Sequence, residues 1–231
     1  MLALINFEFA NEFKSQTGIE CFPLKPYSRL ASPVSSHADM LFCILDNVVF
    51  CYEDYAVENG LIPAIEDRGY KVMFVSKKCD PVYPNDVALN VLVMGKTLFC
   101  NKKTVAKEVV DYASKNGYSV VNVKQGYSAC SALAVDENNV ITSDTGMAEV
   151  LRANGKNVLL VSNDEIILKG YDKGFFGGAS CVVGKTVYLF GKLEKLKDKN
   201  EILEFVSRVG VNIFQISADG VYDFGGAKLI F

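Results

Sequence analysis

One histidine, His37, is all that 231 residues contain, and no CxxC pair occurs among the seven cysteines. Both scarcities argue against a zinc cluster, which needs several soft or imidazole ligands at paired spacing. No apolar run approaches the roughly 18 residues of a membrane span. A basic stripe is also missing: 24 Lys and Arg are scattered among 27 Asp and Glu, for a net charge of −3. Nucleic acid is therefore not an expected partner. Glu8 and Glu12 interrupt the first apolar stretch, so it does not read as a secretory signal. An odd number of cysteines, mostly inside apolar strand patterns, suggests reduced thiols and a cytoplasmic setting.

What the chain does have is repetition. Five times a glycine opens a short apolar strand: Gly18-Ile-Glu-Cys-Phe-Pro-Leu, Gly69-Tyr-Lys-Val-Met-Phe-Val, Gly117-Tyr-Ser-Val-Val-Asn-Val, Gly155-Lys-Asn-Val-Leu-Leu-Val and Gly210-Val-Asn-Ile-Phe-Gln-Ile. The spacings are 51, 48, 38 and 55 residues, a range that marks a repeat architecture. Before each glycine lies an amphipathic stretch, at 8–17, 55–68, 104–116, 146–154 and 200–209. In the third of these, Val105, Val109, Val110, Tyr112 and Ala113 recur at helical spacing. The glycine then falls where a helix C-cap needs positive φ.

Ahead of four of these helices runs another strand pattern, beginning at Asn47, Lys96, Asn139 and Lys185, each led by a turn. The unit reads strand, turn, strand, helix, glycine, strand. A fifth unit is split: the strand at 225–231 lacks a following partner and the strand at 1–7 lacks a preceding one. Pairing the two ends completes that unit and removes an exposed edge. The expected fold is α/β: a five-fold pseudo-symmetric ββαβ propeller, closed by its terminal strands, in one domain over residues 1–231.

The lone histidine begins His37-Ala38-Asp39-Met40-Leu41-Phe42, at the start of a first strand. On a strand, residues two apart share a face, so the His37 imidazole and Asp39 carboxylate are expected to project together into a central cavity. There the imidazole could carry protons near neutral pH. Asp86, ahead of a strand at 87–93, and Asp223, ahead of Phe224-Gly225-Gly226, would add carboxylates around the same mouth. Turn chemistry explains such residues equally well. For Asp144 a helix N-cap is the favoured reading.

A nucleophile is open among three thiols. Cys181 follows Phe176-Gly177-Gly178-Ala179-Ser180, a glycine pair that permits close approach, and a thiolate beside an imidazolium would be activated. Cys43 sits deeper along the His37 strand, and Cys130 occupies a third strand entrance. Cysteine is also common core filler.

Five ββαβ-like units in a ring resemble the pentein fold of guanidine-modifying enzymes: arginine and agmatine deiminases, dimethylarginine hydrolases and amidinotransferases. His37-Ala38-Asp39-Met40-Leu41-Phe42 resembles the His-x-Asp strand of arginine deiminases, and Gly177-Gly178-Ala179-Ser180-Cys181 resembles the Gly-Gly-x-x-Cys segment carrying their nucleophile. The resemblance implies a cofactor-free hydrolase or transferase, without a metal, acting on a small cationic guanidino or amidino compound. It makes Cys181 the nucleophile, His37 the general acid/base and Asp39 a guanidinium ligand or histidine partner. Asp86 and Asp223 would be further clamps, since a planar guanidinium is best held by paired charge-assisted hydrogen bonds. The family also has non-catalytic members, so a ring that only binds a protein, a ribosomal surface or a small cation is the alternative.

Overall fold

The computed structural model describes residues 1–216 and 219–231. It contains five three-stranded sheets built to one plan. In each, a first strand runs antiparallel to a second, which then pairs parallel with a third reached through a helical crossover. The first such sheet is Phe42–Leu45, Val48–Cys51 and Lys71–Phe74. The second is Leu92–Met94, Thr97–Cys100 and Ser119–Asn122, and the third Ala132–Ala134, Asn139–Thr142 and Asn157–Leu160. Ser180–Val183, Thr186–Leu189 and Asn212–Gln215 make the fourth.

The fifth sheet joins the two ends of the chain. Ala227–Ile230 pairs antiparallel with Leu2–Asn6, with Leu2 opposite Ile230, and Leu2–Asn6 pairs parallel with Glu20–Leu24. A short parallel pair, Ile166–Ile167 with Val221–Tyr222, lies outside this plan.

The crossover helices are amphipathic and end as their sequences dictate. Gly18, Gly69, Gly117, Gly155 and Gly210 all have φ between 70° and 78°, the left-handed conformation that ends a helix and turns the chain into the third strand. In Thr145–Ala153 the Asp144 carboxylate accepts the Met147 amide at 2.7 Å, as an N-cap. Its other oxygen accepts Gln125 Nε2 at 2.7 Å. Asp144→Ala is expected to lower unfolding stability by about 1 kcal/mol, read as a shift in urea midpoint at constant slope.

Three local expectations are corrected. The stretch 55–68 is two helices, Glu53–Glu58 and Leu61–Glu66, separated at Gly60. Pro63 has no amide hydrogen to continue the ladder and its ring crowds the preceding turn. The strand expected at 87–93 forms only as Leu92–Met94, whose antiparallel pairing starts with Leu92 opposite Phe99. Upstream, a turn closes instead through the Asn90 amide on the Val87 carbonyl.

The third correction concerns the histidine. His37 and Asp39 are not on a strand: His37 caps a four-residue helix, Ala38–Leu41, and strand pairing begins at Phe42 opposite Cys51. With no second strand alongside, the Asp39 amide donates to the Gly225 carbonyl and the Met40 amide to the His37 carbonyl.

First strands from all five sheets line a single cavity of about 240 Å³, through residues including Ile44, Val93, Leu133, Val182 and Leu229. The third first-strand packs against the second and the fourth, and the fourth against the fifth. The helix Ala38–Leu41 rests on both terminal strands. No helix among the described residues is long and apolar enough to cross a membrane.

Candidate active site

The entrances of the five first strands carry most of the buried polar groups among the described residues: His37 and Asp39, then Asp86 and Asn90, then Ser128 and Ser131, then Ser180 as the first residue of its strand, then Asp223. Strand interiors are filled with apolar side chains that need no partner. The irregular chain just before each strand has backbone and side-chain polar groups left to satisfy.

Asp39 lines the shared cavity. It is 3% exposed, and neither of its carboxylate oxygens makes a hydrogen bond of ordinary geometry, although the Cys130 thiol and the Asp39 and Met40 amides lie near enough to favour its charge. Burial pushes its acid up to about 6, offset in part by the neighbouring Cys130 thiol and by Lys228. Asp223 is pushed up to about 7, by burial first and then by repulsion from Asp39. Its two oxygens accept the amides of Gly225 at 3.0 Å and Phe175 at 2.9 Å. Two carboxylates that repel each other while buried cannot both ionise easily, which favours a proton on one of them.

His37 Nδ1 lies 3.7 Å from Asp223 Oδ1, too far for a hydrogen bond, and has no partner. Burial therefore dominates and holds the imidazole down at about 3, neutral at physiological pH. The imidazole and Asp223 line a second cavity of about 410 Å³, beside Ser36, whose buried hydroxyl is likewise without a partner. His37 and Asp39, expected side by side, thus serve different cavities. The histidine is brought to Asp223 instead.

The remaining candidates are placed as follows. Asp86 Oδ2 accepts the Tyr127 hydroxyl at 2.6 Å, while its buried Oδ1 is unpartnered. Burial raises its acid. Cys181 lines the 240 Å³ cavity but belongs to the apolar cluster of Ile5, Phe9, Phe13 and Phe190. Burial raises its thiol, and the one ionisable group acting on it is Cys21. The structure does not bring Cys181 to His37.

Cys130, by contrast, feels both Asp39 and Asp223. Asn90 is the residue that sequence reasoning passed over. Its side-chain amide donates to Cys130 Sγ at 3.0 Å and Met40 Sδ at 3.2 Å, and its carbonyl oxygen accepts the Ala129 and Cys130 amides. Its position, four residues after Asp86 at a strand entrance, was the available signal. Among the described residues no group of three or more His, Cys, Asp or Glu side chains is arranged to hold a metal ion.

Against solved structures, the chain resembles DDAH from Pseudomonas aeruginosa complexed with citrulline, with a TM-score of 0.56, 14% identity, and coverage of 92% of this chain and 83% of that one. An amidinotransferase from Microseira wollei in the saxitoxin biosynthetic pathway gives 0.58 and 12%, over 91% and 73%. The C. jejuni agmatine deiminase gives 0.55 and 14%, over 94% and 74%. The fold is that of the pentein guanidine-modifying enzymes, and this chain is a divergent example of it. No curated protein matches the sequence. Residues 4–227 match the profile of a family of unknown function, DUF6873, and the chain belongs to that family.

Proposed function

We propose that this protein binds a small guanidino or amidino cation at Asp39, with Asp223 acting on that carboxylate from the neighbouring cavity, and cleaves a C–N bond at its central carbon through a cysteine. One observation carries the reading: a buried carboxylate with neither oxygen in an ordinary hydrogen bond lines a cavity walled by the first strands of all five sheets. An uncompensated buried carboxylate is costly to a fold, and a planar cation with several N–H donors satisfies both oxygens at once. Similarity to deiminase, amidinotransferase and DDAH structures supports the substrate class. In this reading the five sheets form one closed, five-fold pseudo-symmetric domain, and neutral His37 accepts or returns a proton beside Asp223.

Isothermal calorimetry with a panel of guanidino and amidino compounds tests the proposal. Binding should release protons, because the cation displaces those held by the carboxylates, and affinity should fall about tenfold per pH unit below about 6. Asp39→Asn should abolish binding while a folded spectrum is retained. Absence of binding across the panel at pH 8 would sink the idea.

A second reading has one observation in its favour. Each of the seven thiols is held above its ordinary range, as expected of a ring that binds a ligand without chemistry. Binding without turnover of any panel compound would select it.

A further inference from the structure

We propose that Cys130, not Cys181, is the thiol of this site. The Gly-Gly-x-x-Cys pattern points to Cys181, but the geometry points elsewhere. Both thiols are buried in apolar clusters and Cys181 lines the cavity, but no carboxylate or imidazole acts on Cys181. Cys130 is the one cysteine on which both Asp39 and Asp223 act.

Its sulfur is also held in place. Asn90, itself 1% exposed, donates to Cys130 Sγ at 3.0 Å, and its carbonyl oxygen accepts the amides of Ala129 and Cys130 at 2.7 and 3.3 Å. The Cys130 carbonyl accepts the Gly178 amide at 2.9 Å, which ties this segment to the loop carrying Asp223's neighbours. Asn90 is thus a positioning residue that aims the thiol at the carboxylates. Asp39, with neither oxygen in a geometric hydrogen bond, acts on that sulfur and lines the cavity together with Ala129 and Gly225.

This rests on the guanidino reading above. A cation held on Asp39 carries its central carbon close to Cys130 Sγ. It also offsets the negative field of Asp39, which adds to burial in keeping the thiol protonated. The sulfur then bonds to that carbon as its proton passes to Asp39. Collapse of the adduct breaks one C–N bond, and the amine leaves with that proton. Water next bonds to that carbon as sulfur leaves, one of its protons returning to the sulfur and the other passing to the released amine, which departs as the ammonium ion, so atoms and charge balance.

Two reagents of nearly equal shape test the assignment: chloroacetamidine, a cation at neutral pH, and chloroacetamide, its neutral counterpart. Each transfers its carbon to sulfur with loss of chloride. With the full chain at pH 7.5 and peptide mapping by mass spectrometry, Cys130 should react on the order of tenfold faster with the amidine. The other six cysteines should show no such preference, and Asp39→Asn should erase it at Cys130. Cys130→Ser should keep calorimetric binding of guanidino compounds and lose the preferential label. A preference at Cys181 would overturn the assignment and leave the guanidino site standing. Binding in the calorimeter without preference at any cysteine would overturn it as well. Loss of both binding and preference would remove the guanidino reading itself.

Discussion

Asp39→Asn is expected to stabilise the fold by roughly 2–3 kcal/mol at pH 8 and to leave it nearly unchanged at pH 4. The sign follows from the raised acid. Asp39 ionises near its ordinary 3.8 in the unfolded chain and at about 6 in the folded one. Well below pH 3.8 it is neutral in both states and contributes nothing to their difference. Between about 4 and 6 the unfolded chain releases a proton that the folded chain keeps, so stability falls as pH rises. Above 6 the full penalty of a buried, unpartnered charge is present, and asparagine removes it. Asn also relieves the repulsion that helps raise Asp223.

His37 titrates in the opposite sense. Its folded-state value of about 3 lies below its ordinary 6.5, so acidification below 6.5 costs stability until about pH 3. That contribution is common to the native chain and the variant, and drops out of their difference. Urea denaturation of both at pH 4, 6 and 8 gives the comparison. A variant destabilised at pH 8 would mean that Asp39 has a structural partner, and the case for a ligand on it would fail. Stability given up at a buried carboxylate is a common mark of a functional position.

Gly225→Ala is expected to be among the most damaging small substitutions in the chain. Gly225 has φ of +77°, and a Cβ there would sit 2.3 Å from His37 Cβ and 2.4 Å from its Cγ. The left-handed backbone alone costs about 1–2 kcal/mol for a residue with a side chain, and forcing apart a packed contact adds about 1–3 kcal/mol. The loss should therefore reach about 3 kcal/mol or more, and the histidine should move from Asp223. Gly210→Ala is the control. It shares a φ of +72° but meets nothing within 4 Å, so only the backbone cost of about 1–2 kcal/mol applies. Equal losses in the two variants, compared by urea midpoint, would show that His37 is not wedged against Gly225.

Much of this architecture can be read from the chain. The glycine at each helix end, the apolar strand after it and the amphipathic run before it are local features, set by backbone sterics and by a periodicity of two or 3.6 residues. They recur five times, and so does the three-stranded sheet. The unmatched terminal strands were legible for the same reason: a unit with a missing half announces what must lie beside it. Asp144 was identifiable because capping involves only its own helix.

The candidate site was legible in part. Asp39 and Asp223 are marked as acids at strand entrances, yet nothing local says that they repel one another across more than 180 residues of chain. His37 was placed on a strand because its neighbours are apolar. It caps a helical turn instead, since pairing there requires a second strand and the Gly225 carbonyl was the partner available. Cys181 carries the more suggestive local motif, and Cys130 carries none. Which of them faces the carboxylates depends on how five separate sheets lean on one another, a long-range matter that no window of sequence contains. The sequence by itself determined the repeating unit, because each unit's hydrogen bonds and turns are satisfied locally. Only the tertiary structure decided which polar groups share one buried space, because burial and charge repulsion are properties of the assembled core.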